Sequence, residues 1–129
     1  MKTQSLVVLC GLLLVVVAAS AAFAEYDKDA VVEAMQSNGA HMKALQEAAD
    51  NKEFFAAAEN LMAIAKTMKS LDAFTPPSGD KAEWDEIHGN LIKAAFKGIG
   101  ACGEEDVDKL QASIDEIGGL IKQGHKIFK

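Results

Sequence analysis

The segment EEDVDKLQASIDEIGGLIKQGHKIF, residues 104–128, decides the fold. Val107, Leu110, Ile114, Ile117, Ile121 and Phe128 recur at helical steps and form one apolar stripe on a last helix running from about Glu104 to Phe128. Glu104, Glu105 and Asp106 complement the positive end of that helix. Upstream, Gly100 and Gly103 are expected to bracket a turn. Before it, a third helix from about Asp80 to Ile99 turns Trp84, Ile87, His88, Leu91 and Ala95 inward. The run Phe74-Thr75-Pro76-Pro77-Ser78-Gly79 breaks the helical pattern. A second helix is predicted from Asn51 or Lys52 to Leu71, with Phe55, Ala58, Met62, Ala65 and Met68 inward. A first runs from Asp27 to Asp50, with Val31, Met35, Met42, Leu45 and Ala49 inward. Four helices of similar length with short connections predict an all-α, antiparallel up-down-up-down four-helix bundle.

Residues 1–24 read as a secretory signal peptide. Lys2 gives the positive start, Leu6 to Ala19 is an apolar run of 14 residues, and Ala22-Phe23-Ala24 is a small-x-small cleavage site before Glu25. The run falls short of the ~20 residues of a membrane span, so no span is expected after cleavage. Leu9 before Cys10 is too large for a lipoprotein cleavage site. One mature domain of residues 25–129, periplasmic or secreted, follows. The chain of 129 residues has a net charge of −6 and no arginine; the mature part carries 12 lysines against 19 acidic residues. That balance excludes nucleic-acid binding through a basic patch, and the length excludes a multidomain enzyme. No nucleophile–base constellation or phosphate loop is visible, so no enzymatic activity is expected. Cys102 alone remains in the mature chain and has no internal disulfide partner.

Two features of this bundle stand out. Gly39, Gly89, Gly98, Gly118, Gly119 and Gly124 fall within helical patterns, where each costs ~1 kcal/mol relative to Ala. Gly118, Gly119 and Gly124 leave room for a flat ligand against the last helix, or for close helix packing. His125 lies four residues after Ile121 and three before Phe128 and is read as inward, either a hydrogen-bonded core residue or a metal ligand. His41 and His88 read as surface or boundary residues. Cys102 reads as a free thiol, a buried apolar residue or an intermolecular disulfide partner.

The C-terminal run IKQGHKIFK, residues 121–129, resembles the end of the class II cytochromes c, the cytochrome c-prime family, which close on Cys-x-x-Cys-His-x-x-aromatic-basic. His125, Phe128 and Lys129 match the last parts of that pattern. Ile121 and Gly124 stand at the two cysteine positions, so covalent haem attachment is lost. The chain is also similar to the soluble b-type four-helix cytochrome, which holds haem without those cysteines. Laying His41-Met42 on the comparable family segment puts Met35 in the distal slot.

The resemblance therefore implies noncovalent haem b, with His125 as proximal and Met35 as distal iron ligand. It places Trp84 beside the haem, with Met42, Leu91, Ile121, Gly124 and Phe128 as apolar walls. It puts Lys122, Lys126 or Lys129 near a propionate, their other reading being solvated charge. A redox partner protein follows, and the family leaves a homodimer open. Two alternatives stand beside electron transfer: a haem-free structural or interaction module, and a small-ligand sensor or haem carrier in which Met35 gives way to an exogenous ligand.

Overall fold

The computed structural model describes residues 26–128. Residues 1–24, read as a signal peptide and including Cys10, together with Glu25 and Lys129, lie outside the described residues. Four helices account for the fold: α1 (Lys28–Asp50), α2 (Phe54–Ser70), α3 (Lys81–Glu104) and α4 (Val107–Phe128), with a short 3-10 turn at Leu71–Ala73 after α2. They run antiparallel in the expected up-down-up-down order. No helix among the described residues is long and apolar enough to cross a membrane.

Capping explains where each helix begins. Asp27 Oδ1 accepts from Ala30 N at 3.1 Å, Asp80 Oδ1 from Glu83 N at 2.7 Å, and Asp106 Oδ1 from Lys109 N at 3.0 Å, each satisfying a free first-turn amide. α2 starts later than its sequence pattern, because Lys52 at φ 56° takes the chain through a left-handed residue. α3 runs past Ile99 and through both Gly100 and Gly103, which the sequence had marked as a turn. It ends at Glu104, where Glu105 adopts φ 55° and its N–H donates to Cys102 O, while Asp106 N–H donates to Ala101 O. Glu104 is thus the end of α3 rather than the start of α4. A non-glycine residue in this conformation is strained by about 1 kcal/mol. Glu105→Gly is accordingly expected to stabilise the unliganded protein by about 1 kcal/mol; urea unfolding with an unchanged midpoint would show the turn unstrained.

The core joins Leu45 of α1, Leu61 and Ile64 of α2, Leu91 of α3, and Leu110 and Ile117 of α4, all almost fully buried. The inner face of α2 differs from the sequence reading. Phe55 is 82% exposed and Met62 half-exposed, while Ala57, Leu61, Ile64, Ala65 and Met68 are buried. The cause lies in α3: Gly98 has no side chain, and Leu61 occupies that space, so its face turns inward and Phe55 turns out. On α1, Met35 and Met42 are only partly buried, whereas Asn38 is 2% exposed and donates from Nδ2 to Met68 Sδ at 3.0 Å.

Three of the helix interfaces join consecutive helices and pack extensively, whereas α1 packs on α4 far less. At one end that seam is closed by a reciprocal amide pair, Gln46 Nε2 to Gln111 Oε1 at 2.8 Å and Gln111 Nε2 to Gln46 Oε1 at 3.1 Å. The other end stays apart.

Candidate functional site

The gap between α1 and α4 opens into a cavity of about 360 Å³, within the size of small-molecule sites. The first half of α1 supplies Val31, Val32, Met35 and Gln36 to it. The last two turns of α4 supply Leu120, Ile121, Gly124, His125 and Phe128. Trp84, Ile87, His88 and Leu91 of α3, with Met68 of α2, complete the lining together with Tyr26 and Pro77.

Exposure divides this lining into a mouth and a floor. Val32, Gln36 and His125 are exposed and Met35 partly so, which makes them the lips on α1 and α4. Trp84, His88, Leu91 and Met68 are buried and form the floor. His125 is therefore a rim residue rather than an inward core one. The last two turns of α4 have only the gap, not a packed helix, on that side. Across the mouth, α1 carries a thioether and α4 an imidazole.

An aromatic cluster fixes the floor. The Trp84 ring lies 4.3 Å from that of His88, tilted by 59°, and 5.0 Å from that of Phe128, nearly edge-on at 79°. Trp84 Nε1 donates to Leu71 O at 3.0 Å, so the buried indole N–H is satisfied and the ring is held. Gly79, at φ +77°, lets the connecting loop lie on Phe128: a Cβ there would come within 2.9 Å of Phe128 Cε1. Ser78 Oγ donates to Ile127 O at 3.3 Å in the same contact.

The residues singled out from sequence distribute unevenly. Met35, Trp84, Leu91, Ile121, Gly124, His125 and Phe128 all border this one cavity. Met42 does not line it; two turns further along α1, it packs against the main core. Of the three glycines read as making room on α4, only Gly124 faces the cavity, with Ile87 Cγ2 at 3.8 Å from a Cβ built there. Gly118 and Gly119 have nothing within 4 Å of such a Cβ and do not line the cavity. His41 fits its boundary reading: its Nδ1 donates to Asn60 Oδ1 at 3.0 Å, tying α1 to α2. His88 does not. It is buried in the cavity floor, its Nδ1 lacks a hydrogen-bond partner, and burial pushes its pKa below the usual value. Its position between Ile87 and Leu91 on the apolar face of α3 was the available signal. Cys102 is buried and unpaired, with burial pushing its thiol pKa up, which makes it an inert core residue.

The donor set can be tested against a metal. Among the described residues no group of three or more His, Cys, Asp or Glu side chains could hold a bare ion. A macrocycle that brings its own four nitrogens needs only one or two protein ligands, and the imidazole and thioether at the lips are side chains that could serve as such ligands. With Ile121 and Gly124 in the wall and Cys102 sealed in the core, no thiol among the described residues borders the cavity.

No family model matches the chain, and no curated protein matches it. Among solved structures it is similar to the cytochrome c-prime of Rubrivivax gelatinosus, with a TM-score of 0.58 and 21% sequence identity over 75% of this chain and 89% of that one. That likeness establishes a cytochrome c-prime-like four-helix bundle.

Proposed function

We propose that this chain is an exported electron-transfer protein whose α1/α4 cavity would hold haem b noncovalently, with His125 and Met35 as the residues that would bind its iron. The observation that carries the reading is the cavity itself. It is apolar in its floor, and its lips, on separate helices, bear an imidazole and a thioether. The fold likeness supports the choice of a porphyrin over other flat ligands.

Haem would supply the redox chemistry. The protein's own residues supply the rest. His125 offers a nitrogen lone pair and Met35 a sulfur, a ligand pair that raises the reduction potential. Trp84, Leu91, Ile121 and Phe128 would exclude water, and Gly124 adds no side chain to the α4 wall. Lys122 and Lys126 are exposed on the same end of α4 and bias the rim toward carboxylates. That rim is where a partner protein would exchange electrons with the bound group.

The test is the visible spectrum of the mature protein, oxidised and reduced, before and after adding haemin. A stoichiometric Soret band with sharp low-spin bands on reduction is expected. A broad high-spin spectrum would favour an open-site ligand binder instead, and no haem band at all would point to a haem-free interaction module. In the loaded protein, Met35→Ala is expected to convert low-spin iron to high-spin. An unchanged spectrum would remove Met35 as a ligand.

A further inference from the structure

Four large apolar side chains are exposed among the described residues. Val32 is at the cavity mouth. The other three, Phe55 and Met62 of α2 and Phe96 of α3, are 82%, 38% and 53% exposed. Met62 and Phe96 border one shallow groove between α2 and α3, and Phe55 lies two turns from Met62 on the same side of α2. Apolar residues exposed singly are ordinary, whereas a group of them on one face marks an interaction surface. This face lies across the bundle from the cavity, because the helices pack in a ring, each on the next and α1 on α4.

The outward stripe of α2 reads Phe55, Glu59, Met62, Lys66 and Lys69, all exposed. Its alternating steps of four and three are those of a seam between two helices. The charges are segregated about Met62, with Glu59 one turn before it and Lys66 one turn after. Neither has an ion-pair partner among the described residues. They lie about 10 Å apart along the helix axis, at 1.5 Å per residue, too far to satisfy each other.

We propose that this face binds a second copy of the chain, with the two α2 helices antiparallel about a two-fold axis at Met62. An axis in the interface at right angles to the helices sets each α2 on its copy with the direction reversed. Glu59 of each copy then meets Lys66 of the other, twice by symmetry, and the Met62 and Phe96 side chains fill the centre. Phe55 comes level with Lys69, whose methylene stem covers apolar surface. An axis along the helices would instead lay α2 on α3 of the second copy, with Lys66 against Lys93, which borders the groove beside it. Such like-charge contacts reject that arrangement. A chain of net charge −6 repels its own copies at long range, so association needs the local pairing of opposite charges that this stripe provides. The cavity faces away from the contact, and the pairing is independent of haem.

Sedimentation equilibrium of the mature protein, with Glu59→Lys and Lys66→Glu, tests the pairing. Both substitutions are at exposed positions and leave the core intact. Wild type is expected to be a dimer. Each single variant opposes like charges at two symmetry-related places and is expected to self-associate ~100-fold more weakly or worse. An equimolar mixture of the two variants is expected to form a heterodimer, and a chain carrying both substitutions to form a homodimer again. General damage to the surface would give neither rescue. A wild type that stays monomeric at millimolar concentration would leave the face to some other protein and overturn the proposal. Single variants that dimerise as wild type does would place the contact elsewhere, and single variants without rescue would reject the antiparallel pairing; either result overturns it too.

Discussion

His125→Ala is expected to lower haem affinity by ~100-fold or more, since even the supports of a metal ligand are commonly worth 10–100-fold. The substitution removes an exposed side chain at the lip and leaves the core of α4, Leu110, Ile114 and Ile117, untouched. Circular dichroism and the unfolding midpoint of the unliganded protein should therefore match wild type. Haemin titration followed at the Soret band reads the loss. His41→Ala is the matched control: it deletes an imidazole already committed to Asn60 and away from the cavity, and should leave affinity unchanged. Equal affinities in wild type and His125→Ala would end the proposal that α4 supplies the proximal ligand.

The second large effect concerns the fold. A Cβ at Gly98 would lie 2.8 Å from Leu61 Cδ1, 3.2 Å from Leu61 Cδ2 and 3.3 Å from Ser113 Cβ. Leu61 is fully buried and has nowhere to retreat. Gly98→Val is therefore expected to cost about 2–3 kcal/mol, the range of overpacking in a filled core. Gly119→Ala is the opposite case, with nothing within 4 Å of the added methyl, and should gain up to ~1 kcal/mol from helix propensity. Urea unfolding of the two variants gives both signs in one experiment. Comparable midpoints would mean that α2 and α3 do not approach as closely as Gly98 permits.

The same glycine shows what the sequence could and could not reveal. The stripe on α4 and the inward face of α3 follow from spacing alone, because each buries one broad face. The face of α2 does not, because helical spacing admits more than one apolar line, and only the space at Gly98 selects Leu61 over Phe55. Turn signals failed at Gly100 and Gly103 for a related reason. The chain could stop at any of several residues, and the Asp106 cap, with Glu105 turning left-handed before it, fixed the stop. The cavity was legible at its α1 and α4 edges and, in Trp84 and Leu91, at its floor, whereas the place of Met68 there was not. For His88 the spacing on α3 and the habit of histidines pointed opposite ways, and the spacing proved right.

The uneven α1–α4 seam has a kinetic consequence. The other helix pairings close short connections between consecutive segments, a low-contact-order topology that favours fast folding. Bringing α1 to α4 closes nearly the whole domain into a loop, at the greatest entropic cost. The consecutive hairpins can thus assemble first, with the α1–α4 seam closing last and the Gln46–Gln111 clasp completing the ring. A ligand that enters where the seam stays open needs no unfolding to arrive or depart. Its residence time is then set by its own contacts with the lips and floor, not by the global stability of the bundle.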